Sequence, residues 1–184
     1  MENVLTCSAN REGLPAPDEA CFDLYGLLAK FEQQFDAVAK THGLFLGVNV
    51  YKDTPRYFLG DYLRVNDILT NLVRYIISHL QDGGIFLNVY SSPLDQGYYR
   101  LDLIFTDSGI GIPEDQLNKI FQPEYQKTVS GHIYKNTPSL YRAKLITSLM
   151  GGDVSVKTTF GWGTRYSAYI LMKCGVTTPY RYYN

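Results

Sequence analysis

Apolar residues recur along the chain with two different spacings, and these spacings separate helices from strands. Between Phe22 and Val38 they recur at steps of three and four, which predicts a helix with one buried face and Asp23 as its N-cap. Between Leu44 and Tyr51 they alternate, which predicts a half-buried strand. From Asp61 to Leu80 two apolar columns predict a second helix, and these columns contain Ile68, Leu69, Leu72, Val73, Ile76, Ile77 and Leu80.

The second half of the chain predicts mainly strands joined by short turns. Residues 85–91 and 99–106 flank the turn-rich segment SPLDQG and predict a hairpin, whereas KDTPRYFLGD, before Asp61, predicts a bent connection. Residues 122–137 show little periodicity, and we expect a long loop that covers a site. The other expected elements are a short helix from Pro113 through Phe121, a helix ending at Met150, and strands at 153–158 and 164–172.

This order of elements predicts an α+β fold, a two-layer sandwich with a mixed, mostly antiparallel sheet and its helices on one face. A chain of 184 residues with 45% apolar content is long enough for one sizeable core. We expect a lead-in at residues 1–21, one domain at residues 22–173 and a C-terminal tail at residues 174–184. A functional site would then lie between the helices and the sheet.

Composition excludes several classes of function. The chain has 17 basic and 18 acidic residues and no run of Lys and Arg, so we expect no nucleic-acid partner. Three widely separated cysteines, Cys7, Cys21 and Cys174, predict neither a disulfide framework nor a zinc site and fit a cytoplasmic protein. No apolar run approaches the roughly 20 residues of a membrane span, and no signal peptide is evident, so we expect a soluble chain without membrane contact.

The segment DSGIGIPED, at residues 107–115, follows a predicted strand and has two interpretations. Asp107 and the following glycine form ordinary turn chemistry, because Asp caps its own backbone and Gly permits positive φ. Alternatively, Gly109 and Gly111 let the backbone approach a ligand, and a buried Asp107 carboxylate accepts a hydrogen bond from an exocyclic amine, as in an adenine pocket. The P-loop and dinucleotide-binding fingerprints are both missing from the sequence.

Four segments in order and spacing resemble the ATP-binding catalytic domain of sensor histidine kinases, particularly the hybrid type. They are FDLYGLLAKF, GDYLRVNDILTNLV, FTDSGIGIPEDQLNKIFQPEYQ and LITSLMGGDVSVKTTFGWGTRYSAYILMK, and the likeness extends from Phe22 to Met172. The resemblance implies the Bergerat ATP-binding fold of the GHKL class, a two-layer α/β sandwich also found in gyrase and heat-shock chaperone ATPases. The segment IFQPEYQ is similar to the family's F box, which favours the kinases over gyrase or mismatch-repair ATPases.

The resemblance implies an intact adenine half-site. Asp107 matches the aspartate of the family's first glycine box, which binds the adenine amino group, and Gly109 and Gly111 match the adjacent glycines. Asn71 matches the first asparagine of the family's N box, and Phe121 and Tyr125 fall in the F box. From the predicted helix we expect Asp67, Asn71, Arg74, Tyr75 and Ser78 to share the pocket-facing side of the helix. Asp67 and Tyr75 from this side, with Asn71 and Phe121 from the resemblance, join the candidate nucleotide-binding residues.

The phosphate half of the pocket departs from the family pattern. The second N-box asparagine, a magnesium ligand in the family, falls on Tyr75, and a basic residue that reaches the phosphates falls on Ser78. The family's second glycine box falls on KNTPSL, residues 135–140, which has no glycine and whose Pro138 lacks an N–H donor. Lys127, His132 and Lys135 either supply charge instead or are solvated loop residues. We therefore expect ATP or ADP as the cofactor, with Mg²⁺ in doubt.

The resemblance also implies partners. His42, His79 and His132 lie in no phosphoacceptor motif, so the acceptor would belong to a helical dimerisation domain, with a response-regulator receiver domain as a further partner. The isolated chain would be a monomer. We expect a degenerate domain of a two-component signal-transduction protein, a pseudokinase that acts through contacts. The alternative is an active domain that transfers the γ-phosphoryl group of ATP to a histidine.

Overall fold

The computed structural model describes residues 18–117, 119–122 and 140–175, and it places strands in one layer and helices in another. The strands are β1 (Ala20–Asp23), β2 (Leu44–Val50), β3 (Tyr57–Gly60), β4 (Gly83–Pro93), β5 (Tyr98–Asp107), β6 (Asp153–Thr159) and β7 (Gly163–Cys174). The helices are α1 (Leu24–Thr41), α2 (Tyr62–His79), α3 (Glu114–Leu117) and α4 (Leu140–Leu149).

The seven strands form one mixed sheet in the order β1-β3-β7-β5-β4-β2, and β6 pairs with β7. The pair β2 and β4 is parallel, whereas the other five pairs of described strands are antiparallel. β4 and β5 form the predicted hairpin, in which Ile85 lies opposite Asp107. This architecture confirms the predicted fold class of a mostly antiparallel sheet with helices on one side.

The core lies between the helices and the inner face of the sheet. Asp23 caps α1 as predicted, because its Oδ1 accepts a hydrogen bond from the Gly26 N–H at 3.0 Å. Phe31 of α1 packs edge-on against Phe105 of β5, with ring centroids 6.2 Å apart. The apolar columns predicted for α2 are buried along their whole length. In α1 the buried stripe ends at Ala39, four residues after Phe35, so the predicted Val38 lies off the stripe and is exposed.

Two short strands and one helix boundary differ from the sequence predictions. The expected bent connection before Asp61 contains β3, and β1 precedes the predicted first helix. These strands are four residues each, which is too short to show a period, and they pair with each other. Their strand conformation therefore depends on partners that are distant in sequence. The predicted helix through Phe121 ends at Leu117, and beyond it Lys119 and Gln122 donate hydrogen bonds to acceptors three residues back.

Several predicted features lie outside the described residues. The expected covering loop, residues 122–137, is described only at Gln122, and the tail is described only at Cys174 and Gly175. Cys7, Tyr125, Lys127, His132 and the KNTPSL segment up to Ser139 also lie outside the described part of the chain.

Candidate functional site

A tight loop, residues 107–113, follows β5 and brings the predicted aspartate and glycines together. We call it the Asp107 loop. The Asp107 Oδ1 accepts a hydrogen bond from the Gly109 N–H at 2.9 Å. Gly111 has a φ of 81°, and a Cβ atom there would lie 2.9 Å from the Thr159 carbonyl oxygen. This close approach requires glycine, and the hydrogen bond to Asp107 confirms the capped turn. The approach to a ligand stays a prediction.

Neighbouring strands hold the Asp107 loop in place. The Ile112 N–H donates to Thr158 Oγ1 at 2.9 Å, and the Gly161 N–H donates to the Ile110 carbonyl oxygen at 2.7 Å. On the other side, the Gly84 N–H donates to Ser108 Oγ at 2.9 Å. The loop is therefore tied to β4, to β6 and to the turn between β6 and β7.

The C-terminal end of α2 lies over this loop, and its Tyr75 and His79 form an aromatic cluster with Tyr166 of β7. The Tyr75 ring stacks on His79, with centroids 4.2 Å apart, and meets Tyr166 of β7 edge-on at 6.1 Å. Tyr75 is only 6% exposed. His79 Nδ1 lies 2.7 Å from the Tyr75 carbonyl oxygen, and Ser78 Oγ donates to the same oxygen at 2.8 Å. The side chains at positions 78 and 79 thus bond back to their own helix.

Burial governs the ionisation of the two titrating groups that meet at this end of the sheet. Burial raises the pKa of the Asp107 carboxyl above its ordinary 3.8, although hydrogen bonds from the backbone of Gly109 and Thr164 and from the Tyr166 side chain oppose the rise. Burial also raises the pKa of the Tyr166 phenol, and the nearby Asp107 carboxylate adds to this rise. Asp107 lies opposite Thr164 in the β5–β7 pairing. Tyr166 is two residues after Thr164, so the two side chains lie on the same face of the sheet. The phenol therefore stays protonated and can donate to the carboxylate.

A small cleft opens between the end of α2 and the Asp107 loop. Its volume is about 40 Å³, well below the roughly 300–1,000 Å³ of typical ligand pockets. A Cβ atom at Gly109 would lie 2.7 Å from Leu80 Cδ1, so Leu80 already packs against the loop. The cleft is lined by Ile76, His79, Leu80, Asp107, Gly109, Ile110, Gly111, Ile112, Thr164 and Tyr166.

The remaining predicted residues lie elsewhere along α2 and α4. Asn71 is buried, and its Nδ2 donates to the Asp67 carbonyl oxygen at 2.8 Å. The Asp67 carboxylate lies 3.5 Å from Arg142 Nη2 of α4. The ammonium of Lys144 lies 4.9 Å from the centroid of the Phe121 ring. The structure thus brings Asp107, Gly109 and Gly111 together in the cleft, whereas Asp67, Asn71 and Phe121 are not among the described residues that line it.

Among the described residues, none of the five expected on the pocket-facing side of α2 lines the cleft, whose wall at this helix consists of Ile76 and His79, followed by Leu80. The prediction was wrong for Arg74, whose guanidinium lies 5.8 Å from the ring centroid of Phe35 and so faces α1. Sequence reasoning singled out neither Tyr166 nor His79 as a site residue. Two signals were available: His79 lies four residues after Tyr75 on one helix face, and Tyr166 lies two residues after Thr164 on one strand face.

Neither a metal site nor a membrane span is evident within residues 18–117, 119–122 and 140–175. No group of three or more His, Cys, Asp or Glu side chains there is arranged to hold a metal ion. No helix in this part of the chain is long and apolar enough to cross a membrane.

Fold and loop together define a two-layer ATPase domain of the histidine kinase type. The sequence profile described as histidine kinase-, DNA gyrase B- and HSP90-like ATPase matches residues 60–173. This match covers more than half of the chain, so the chain belongs to this family.

Similar sequences are found in sensor kinases. The signal transduction histidine-protein kinase BarA of Escherichia coli is 31% identical over 131 residues, which is 70% of this chain and 14% of that protein. The sensor histidine kinase GacS of Pseudomonas protegens is 28% identical over 168 residues, which is 90% of this chain and 18% of that protein. The chain therefore spans less than a fifth of these relatives.

Solved structures share the fold. Full-length ShkA in complex with AMPPNP matches with a TM-score of 0.68 and 22% identity, over 89% of this chain and 33% of that one. The histidine kinase AdeS of Acinetobacter baumannii matches with a TM-score of 0.63 and 15% identity, over 86% of this chain and 69% of that one. These TM-scores establish the shared fold, which agrees with the fold class predicted from the sequence.

Proposed function

We propose that this domain is a degenerate histidine kinase ATPase module, a pseudokinase of a two-component signalling protein that signals through contacts rather than by phosphoryl transfer. The observation that carries the proposal is the packing of Tyr75. Its ring is buried between His79 and Tyr166 at the position where family resemblance expects a metal-binding amide.

The adenine half of the site offers the acceptor that the amino group of a nucleotide base needs. Asp107 supplies a partly buried carboxylate beside Gly109 and Gly111. The ShkA structure contains AMPPNP in a domain of the same fold. Binding of ATP or ADP would require the cleft to widen, and Leu80 and His79 at the end of α2 are the side chains that would move.

The phosphate half fits a metal poorly. Position 75, one helical turn after Asn71, holds a packed phenol instead of an amide oxygen. Ser78 bonds to the Tyr75 carbonyl oxygen and carries no charge for the phosphates. When bound, Mg²⁺ would neutralise charge on the phosphates, and without it the transition state for phosphoryl transfer loses most of its stabilisation.

The proposal extends to the context of the domain. Residues 22–173 would form the module, flanked by a lead-in at residues 1–21 and a tail at residues 174–184. The module would be cytoplasmic, and the chain alone would be a monomer. Its partners would be a helical dimerisation domain and a receiver domain. The relatives with similar sequences are sensor kinases several times longer than this chain, which supports such an arrangement.

A radiolabelled-ATP transfer assay on the full-length parent protein tests this function. We expect no labelled histidine in the wild type. The double substitution Tyr75→Asn with Ser78→Lys is the comparison. It restores at both positions of α2 the residue types that the family resemblance expects, an asparagine and a basic residue. Robust labelling of the wild type would overturn the pseudokinase assignment.

The active alternative rests on the retained Asp107 loop and on Asn71. An active domain would bind ADP more tightly with magnesium than without it. Calorimetry with and without the metal separates the alternatives, because the pseudokinase proposal expects only a weak effect of magnesium.

A further inference from the structure

An exposed apolar cluster lies directly beside the candidate nucleotide cleft and takes no part in it beyond Ile110. The three most exposed large apolar side chains of the described residues are Trp162, Ile110 and Phe160, which are 84%, 71% and 69% exposed. Phe160 and Trp162 flank Gly161 in the turn between β6 and β7, and the Gly161 N–H donates to the Ile110 carbonyl oxygen at 2.7 Å. We call these three side chains the apolar tip.

The apolar tip is a fixed feature, because its backbone is tied on both sides. Trp162 N–H donates to the Thr159 carbonyl oxygen at 2.9 Å, which closes the turn. A Cβ atom at Gly111 would lie 3.2 Å from the Phe160 Cα, so the Asp107 loop packs against the turn. Ordered exposure of Trp and Phe side chains in one place is costly in water and is typical of a protein interface.

Two cations that form no ion pair with a carboxylate of the described residues lie below the apolar tip on the outer face of the sheet. Lys157 of β6 and Arg165 of β7 are directly opposite each other in the strand pairing, and both are exposed. Like charges opposite each other repel. No ion pair joins either side chain to a carboxylate among the described residues, and Arg165 Nε has only the Ser167 hydroxyl at 3.4 Å. A partner with carboxylates would relieve this repulsion.

We propose that the apolar tip, with Lys157 and Arg165, is a docking surface for an acidic amphipathic helix of a partner protein. At the turn, the β6 and β7 backbones pair with each other up to Thr159 and Gly163, so the tip presents side chains to a partner. Large side chains projecting from a turn fit between the ridges of a helical surface. The helical character of the partner rests on the proposed function, whereas the surface itself follows from the exposed side chains and the unpaired charges.

A protein partner fits this surface better than a lipid membrane. Sequence-readable recognition of anionic lipid takes clusters of about four to eight basic residues, and the surface has two.

Trp162 is the only tryptophan of the chain, so its fluorescence reports directly on occupancy of the tip. The probe is a synthetic amphipathic helical peptide with leucines on its apolar face and glutamates on its polar face. A second peptide has lysines in place of the glutamates. We expect the Trp162 emission to move to shorter wavelength on titration of the full chain with the glutamate peptide, and to change little with the lysine peptide.

Matched variants locate the binding surface. Phe160→Ser should weaken binding of the glutamate peptide about tenfold, the loss typical of an interface anchor, with Trp162 still present as the reporter. Phe45→Ser removes another exposed phenylalanine, at the far edge strand β2, and should leave the affinity unchanged. Lys157→Glu should weaken the glutamate peptide and strengthen the lysine peptide, whereas Lys30→Glu, on the exposed side of α1, should do neither.

Three outcomes would overturn the proposal. They are an unchanged Trp162 emission with the glutamate peptide, equal losses for Phe160→Ser and Phe45→Ser, and an emission shift with phosphatidylserine vesicles that exceeds the shift with the peptide. The last outcome would assign the surface to membranes. The titrations contain no nucleotide, so a failure of nucleotide binding or a finding of phosphoryl transfer leaves their result unaffected.

Discussion

At the residue scale, the binding role proposed for Asp107 opposes the stability of the fold. Its carboxylate is the group of the cleft best suited to an adenine amine, and Asp107→Asn removes its negative charge. We expect the affinity for ADP to fall about ten- to a hundredfold, the loss of one charge-assisted hydrogen bond worth about 1.5–3 kcal/mol. Calorimetry measures this. Asp102→Asn in the same strand, where Asp102 pairs with Arg100 on the outer face, is the control and should leave the affinity unchanged.

The same residue also makes the stability of the fold depend on pH. The pKa of Asp107 is raised by burial, so the folded state tolerates the protonated carboxyl best, and this contribution is lost as the pH rises above the ordinary value of 3.8 through the raised pKa. Asparagine has no charge to bury. We expect Asp107→Asn to gain stability relative to the wild type as the pH rises through this window, measured by urea unfolding at several pH values. A constant difference across the series would contradict the role of burial.

At the element scale, the stability of α2 depends on the cap at its first turn. At its start, the Asp61 Oδ1 accepts the Arg64 N–H at 3.0 Å, and its Oδ2 lies 3.3 Å from Arg64 Nε and accepts from Asp18 N–H at 3.2 Å. Because Asp61 is buried, Asp61→Ala removes a cap and leaves Arg64 without this carboxylate. We expect a loss of about 1–3 kcal/mol in the free energy of unfolding, measured with urea. Asp82→Ala, at an exposed position after the same helix, should change it by less than about 0.5 kcal/mol.

The attachment of the Asp107 loop to β6 is a second property at this scale. Thr158 Oγ1 accepts the Ile112 N–H and lies 3.1 Å from both the Gly163 carbonyl oxygen and Thr164 Oγ1. Thr158→Val keeps the shape but leaves the Ile112 N–H without its acceptor, so we expect a loss of about 1–3 kcal/mol and weaker ADP binding. Thr159→Val, at the adjacent exposed position, is the control. Equal effects of the two substitutions would show that Thr158 does not hold the loop.

The two layers depend on aromatic packing between them at the scale of the whole molecule. Phe105 of β5 is fully buried against Phe31 of α1, whereas Phe86 of β4 is 41% exposed on the outer face of the sheet. We expect Phe105→Ala to cost about 3–5 kcal/mol and Phe86→Ala clearly less, because only the first leaves a cavity between the layers. Urea unfolding followed by circular dichroism measures both. A smaller loss for Phe105→Ala than for Phe86→Ala would contradict the described packing.

Much of the fold could be predicted because its main elements carry their own periodicity. The columns from Ile68 to Leu80, the alternation of β2 and the Asp23 cap depend on residues a few positions apart, and each was found as predicted. The four-residue strands β1 and β3 were missed because their strand character comes from pairing with each other, and that of β3 also from β7. Such pairings join residues far apart in sequence and leave no local period.

The sequence by itself determined the helices, the hairpin and the loop that holds Asp107, Gly109 and Gly111, since helical periodicity, turn chemistry and glycine spacing are local properties. It also marked Tyr75 as a departure from the family pattern. The tertiary structure alone decided what Tyr75 contacts. His79 reaches it from one turn further along α2, and Tyr166 reaches it from β7, about ninety positions later in the sequence. It likewise brought Ile110 beside Phe160 and Trp162 to form the apolar tip, since a hydrogen bond between two separate loops joins residues about fifty positions apart.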